Sequence, residues 1–137
     1  FSMTTYFQEI SIVELPEANG SSLKFFQDFN FDTKRVFFVR ASKQGDIRGR
    51  HAHKKCRQLI YVLNGEFQIT LKLRNGATIY KEKLHSNKKA ILIQPDVWVE
   101  LEALDPDSIF SCLCDRPYSE NDYIRQSNAF FSDVKGF

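Results

Sequence analysis

The sequence predicts an all-β fold, a single-domain jelly-roll β-barrel or a related antiparallel sandwich, ending in a short C-terminal helical or irregular tail over residues 118–134. Three observations carry this. Short apolar or alternating segments recur at intervals of about 8 to 12 residues between 35 and 114. Two Asn-Gly dipeptides, Asn64-Gly65 and Asn75-Gly76, suit the positive backbone angles of tight hairpins. Nothing between the segments is long enough for the crossover helix that a parallel sheet requires. A chain of 137 residues, 42% hydrophobic with 13 Phe, can fill one core, and closing the sheet deals with its many edges.

Taken in order, residues 10–15 read as a strand, 16–22 as a turn and 23–26 as a second short strand. Residues 35–40, Arg-Val-Phe-Phe-Val-Arg, are β-branched and aromatic with charged ends, and 42–46 break them. The apolar run 59–63 leads into Asn64-Gly65. Residues 66–73 then alternate, odd positions apolar and even ones polar, the pattern of a sheet with one buried face. Segments 77–84, 90–93, 97–103 and 108–114 complete the strands. In the tail, Ser119 or Asp122 is the expected helix cap. Phe1 and Ser2, ahead of Met3, are expected to be a remnant of expression, leaving residues 4–137 as the domain.

The 19 basic and 17 acidic residues are spread along the chain, so the net charge of +2 makes no electrostatic case for nucleic acid or a membrane surface. No apolar segment approaches the roughly 18 to 20 residues needed to cross a bilayer. Three cysteines do not make a disulfide framework and no secretory leader is evident, which points to a cytoplasmic protein. Cys112 and Cys114 share a strand face, but flanked by Ile109, Phe110 and Leu113 they read as small core residues.

The chemistry centres on Arg48-Gly49-Arg50-His51-Ala52-His53-Lys54-Lys55, which holds two of the three histidines. On a strand, His51 and His53 share a face, with rings about 6 to 7 Å apart. A facing imidazole pair can move protons, hold a metal or bind a polar ligand; the competing reading is two exposed histidines on a basic turn. The His-x-His spacing is similar to that of metal-binding cupins, but Arg57 stands at the expected carboxylate position and Val99 where a further histidine is expected. His85 lies in the polar 83–89 stretch, where solvation is the default. Two histidines alone make a poor metal site.

Four pieces together resemble the sugar-nucleotide 3,4-ketoisomerases, the WxcM-like cupins that act on dTDP-4-keto-6-deoxyglucose: Lys34-Arg35-Val36-Phe37-Phe38-Val39, the Arg48–Lys55 stretch, Pro95-Asp96-Val97-Trp98 and Asp122-Tyr123-Ile124-Arg125. The resemblance implies a cupin-type jelly roll, a homodimer with exchanged strands, and a dTDP-linked keto sugar bound with no metal and no cofactor. It also implies an isomerase of deoxysugar biosynthesis for surface polysaccharide, which moves a ketone from C4 to C3 through an enediol. By the same pattern His53 is the essential base and His51 assists. Arg48 and Arg35 hold the diphosphate or a developing oxyanion, and Trp98 and Tyr123 pack on thymine or sugar. Departures are Val99 for histidine, Phe37 and Phe38 for tyrosine, and Arg57 for glutamate. They leave two further readings: a nucleotide-sugar-binding cupin without turnover, and a metal-dependent cupin.

Overall fold

Eleven strands make two antiparallel sheets in a computed structural model that describes residues 4–6, 10–14, 31–85 and 89–131. In chain order they are β1 (Thr4–Tyr6), β2 (Ile10–Glu14), β3 (Arg35–Arg40), β4 (Ile47–His53), β5 (Gln58–Asn64), β6 (Glu66–Lys72), β7 (Thr78–His85), β8 (Lys89–Ile93), β9 (Trp98–Ala103), β10 (Ile109–Cys114) and β11 (Tyr123–Ile124). One sheet runs β1-β2-β8-β5-β10-β3 and the other β11-β4-β9-β6-β7. This is the expected all-β jelly-roll architecture.

Alternation does what it promised in β6, where Phe67, Ile69 and Leu71 are fully buried and their neighbours half-buried. These side chains meet Ile60, Val62, Leu101 and Phe110 from β5, β9 and β10 to form the core between the sheets. Burying one such large apolar side chain contributes roughly 1.5 to 3 kcal/mol. Phe67 and Phe110 meet edge to face at 5.2 Å. The Asn64-Gly65 turn links β5 to β6 with Gly65 at φ +73, and a Cβ there would lie 2.2 Å from the Ser108 hydroxyl. A smaller cluster, Leu59, Ala90 and Leu92 with Phe31, Tyr61 and Leu113, covers part of the other face of the first sheet.

The tail differs from expectation. Among the described residues helix is limited to a 3-10 turn at Glu120–Asp122 and one turn, α1, at Ser127–Phe130. Between them β11 pairs with β4, Tyr123 opposite His53, a strand too short to show in periodicity. Neither Ser119 nor Asp122 caps a helix: Ser119 precedes the 3-10 turn without a side-chain bond, and the Asp122 carboxylate points elsewhere. His85 ends β7, and its Nδ1 lies 2.8 Å from Glu66 across the ladder. The histidine is exposed as expected, at 55%, but stands at a strand end with a cross-strand carboxylate partner rather than in a loop. The expected turn at 16–22, strand at 23–26 and tail beyond 131 lie outside the described residues.

Candidate active site

Strand β4 carries a bulge, and the bulge decides which side chains meet. Gly49 pairs with Glu100 and His51 with Val99, leaving Arg50 as an extra residue without a ladder partner. Gly49 has φ +88 and Arg50 φ +58. A Cβ on Gly49 would sit 2.8 Å from the Val99 carbonyl oxygen, so close approach of the two strands requires glycine. Cross-strand partners point to the same side of a sheet. Arg48 faces with Leu101 and His51 with Val99, all on the inner side, whereas strict alternation would have set Arg48 opposite the histidines.

That inner side lines a cavity of about 340 Å³ between the sheets, within the range of small-ligand sites. Arg48, His51, Gln58, Tyr123 and Arg125 supply its polar lining, and Phe37, Val39, Ile60, Val99 and Phe110 its apolar lining. The His51 and His53 ring centroids are 5.2 Å apart, edge to face, closer than an ideal strand gives. The Tyr123 ring packs on both, 5.0 Å from His51 and 4.3 Å from His53.

Each imidazole has one nitrogen occupied. His51 Nδ1 lies 3.1 Å from the Gly49 carbonyl, which only accepts, so Nδ1 carries the hydrogen and Nε2 the lone pair. His53 Nδ1 lies 2.9 Å from Asp122 Oδ2, with the same result. His53 is 3% exposed, and its Nε2 is buried without a hydrogen-bond partner. Asp122 is held in turn by the backbone N–H groups of Lys55 at 2.8 Å and Cys56 at 3.3 Å.

Both rings favour the neutral form. Burial, then the charges of His53 and Arg125, push His51 down to about 4. Burial also pushes His53 below the usual imidazole value, against the pull of its bond to Asp122 and that carboxylate's charge. For Asp122 burial works upward, but bonds from His53, Lys55 and Cys56 outweigh it and hold the carboxyl below its ordinary range.

Behind Tyr123, Arg35 donates from Nη2 to the Tyr123 hydroxyl at 3.1 Å and to Cys114 Sγ at 3.2 Å. Cys112 Sγ lies 3.9 Å from Cys114 Sγ, and the neighbouring Cys112 and Cys56 thiols together with Arg35 hold Cys114 well below the usual thiol range. Arg125 lies 4.0 Å from the Tyr123 ring centroid and is fixed by two bonds to Glu120, at 2.7 and 3.0 Å.

Of the residues singled out in the sequence, His51, Arg48 and Tyr123 line the cavity, and His53 sits directly behind His51 and Tyr123. Arg35 does not reach the cavity lining, because its guanidinium is turned to Cys114 and Tyr123. Trp98 lies on the far face of β9, 2% exposed, against Ala52, Phe130 and Phe131, with Nε1 donating to Glu100. The strand's alternation puts Val99, not Trp98, in the cavity. Arg57 is tied to Asp115 at 2.8 Å and lies over the Phe31 ring, which explains a cation at that position structurally. Asp122, Gln58 and Arg125 were not singled out. The only signal for the first and last was their place in the Asp122–Arg125 piece of the family resemblance. As for metal donors, among the described residues His53, Cys56 and Asp122 each offer a ligand atom within 4.8 Å of the others. Here His53 Nδ1 and the Asp122 carboxylate are bonded to each other, and the Cys56 thiol donates to the Arg57 carbonyl at 3.2 Å.

The family model described as FdtA, WxcM-like, C-terminal, matches residues 3–135. A TDP-4-oxo-6-deoxy-alpha-D-glucose-3,4-oxoisomerase of Aneurinibacillus thermoaerophilus is 32% identical over 123 residues, 88% of this chain and 87% of that protein. The crystal structure of QdtA, a sugar 3,4-ketoisomerase from Thermoanaerobacterium thermosaccharolyticum in complex with TDP, is similar with a TM-score of 0.83 at 25% identity, covering 95% of this chain and 97% of that one. WlaRA, a TDP-fucose-3,4-ketoisomerase from Campylobacter jejuni, is similar with a TM-score of 0.79 at 25% identity, covering 92% and 96%.

Proposed function

Because the chain belongs to the FdtA, WxcM-like family, we propose that it is an isomerase of deoxysugar biosynthesis that moves the ketone of a dTDP-linked 4-keto-6-deoxyhexose from C4 to C3. The observation that carries this reading is the imidazole pair, His51 on the cavity wall and His53 directly behind it, each ring neutral with its Nε2 lone pair uncommitted.

Hydrogen on carbon next to a ketone is weakly acidic, and its removal puts charge on oxygen. His53 is the base for the C3 hydrogen. Asp122 sets its tautomer and stabilises the imidazolium that forms, and its buried, unpartnered Nε2 is an acceptor kept for a substrate hydrogen. His51 forms the cavity wall beside it and orients the sugar oxygens. Arg48 and Arg125 face the same space with fixed positive charge suited to a diphosphate or an enediolate oxygen. The apolar wall of Phe37, Val39, Val99 and Phe110 fits the methyl group of a 6-deoxysugar. The Val99 and Phe37 departures fall on this wall, away from the imidazoles' hydrogen bonds. These steps need no metal or cofactor.

The test is incubation with dTDP-4-keto-6-deoxyglucose in D₂O, followed by NMR. Deuterium should enter, and a 3-keto product should accumulate, with both lost in His53→Asn while dTDP still binds. Binding without exchange in the unaltered protein would favour a nucleotide-sugar-binding cupin. A cytoplasmic setting for the reaction is supported by three buried free thiols. No helix among the described residues is long and apolar enough to cross a membrane. A homodimer is supported by the exposed apolar side chains Val36, Phe38 and Leu63, at 49%, 63% and 42%, on the outside of the first sheet, two of them on its edge strand β3. Light scattering at the monomer mass would remove that assignment.

A further inference from the structure

Resting on the isomerase reading, we infer that Tyr123 is a catalytic residue, the acid that delivers a proton to the C4 oxygen and recovers one from the C3 oxygen. Its placement on the cavity wall against both imidazoles, with a hydroxyl held by Arg35, carries the inference.

The argument is one of donors and acceptors. A guanidinium has hydrogens and no lone pair, so in the 3.1 Å contact Arg35 Nη2 donates and the Tyr123 oxygen accepts. The phenol therefore keeps its own hydrogen for another acceptor. Among the described residues none takes it, although the ring lines the cavity where a ligand's oxygens would lie. Arg35 stays in place because its other partner is Cys114 and its guanidinium packs 5.4 Å from the rings of Phe37 and Tyr118. A second guanidinium, Arg125, lies 4.0 Å from the face of the same ring. One cation thus sits at the hydroxyl and a second over the ring face, fixed charges already in place beside the group that would carry the proton.

The steps balance. First the C3–H bond breaks, its proton goes to His53 Nε2, and its electron pair becomes the C3=C4 double bond. The former carbonyl oxygen at C4 takes the Tyr123 hydrogen. This leaves an enediol, an imidazolium beside Asp122 and a phenolate beside Arg35. The phenolate then takes the hydrogen from the C3 hydroxyl, the C3=O bond forms, and C4 accepts the proton from the imidazolium. C3 has been oxidised and C4 reduced within one molecule, and every protein group returns to its starting form.

Tyr123→Phe isolates the hydroxyl, since the ring that packs on both histidines is kept. With dTDP-4-keto-6-deoxyglucose, kcat should fall by roughly 10²-fold or more, the usual yield of one positioned acid, while KM and the Kd for dTDP stay within about threefold. Thermal denaturation should confirm a folded variant. Turnover within a few-fold of the unaltered protein, or a loss confined to KM, would overturn the role and leave Tyr123 as packing. If the unaltered protein neither exchanges nor isomerises, the isomerase reading itself fails and the inference goes with it, so the two failures are distinguishable.

Discussion

At the scale of single residues, Asp122 is the clearest case of a role that sequence alone did not disclose. Sixty-nine positions separate it from His53, and an Asp beside a turn reads as a cap from local propensity. Only the folded chain shows its carboxylate on Nδ1. The histidines were legible because strand geometry acts over two residues, and Arg48 was legible only by resemblance. Trp98 was misread because its side of β9 depends on register, which an isolated Pro-Asp-Val-Trp does not reveal. Asp122→Asn keeps the shape but lets the amide donate to Nδ1, which moves the His53 hydrogen to Nε2 and removes the lone pair. We expect kcat to drop on the order of 10²-fold or more, with a change of His53 tautomer in ¹⁵N NMR. A variant with normal turnover would show that the carboxylate does not serve the base.

Among the elements, β6 and its hairpin were readable in full, since alternation and an Asn-Gly dipeptide are local signals. The bulge in β4 and the two-residue β11 were not, because each exists only through pairing with another strand. The bulge stores strain: a non-glycine residue in the left-handed region, as at Arg50, costs about 1 to 2 kcal/mol. Gly49→Ala would add an unfavourable φ of +88 and a clash with the Val99 carbonyl. A loss of roughly 1 to 3 kcal/mol in urea unfolding is expected, together with lower kcat, since the Gly49 carbonyl also anchors His51. Unchanged stability would mean that the strands can part there without penalty.

For the molecule as a whole, fold class was legible because many weak signals agree, while the cavity was not, since it is a property of two sheets facing each other. Burying neutral imidazoles ties stability to pH. His51 titrates at about 4 when folded and near 6.5 when unfolded. Between those values the unfolded chain binds more protons, so stability is full above about pH 6.5, falls as the solution is acidified and levels off below about 4. The lowered Asp122 adds a loss in the same direction at still lower pH. Melting temperature should therefore decline by several degrees between pH 7 and 4.5, and a flat profile would contradict buried neutral rings. The acid limb of activity should lie well below the ordinary imidazole value for the same reason.

The unpaired Arg50 also makes tolerance to changes in chain length uneven. A residue that no neighbouring strand counts can be dropped, leaving Arg48, His51 and His53 on their present side, because the flanking positions already follow one another across β9. One residue inserted between His51 and His53 would instead swing the second imidazole out toward Trp98. A scan of single-codon deletions and duplications through this strand should find one permissive position immediately before an intolerant run.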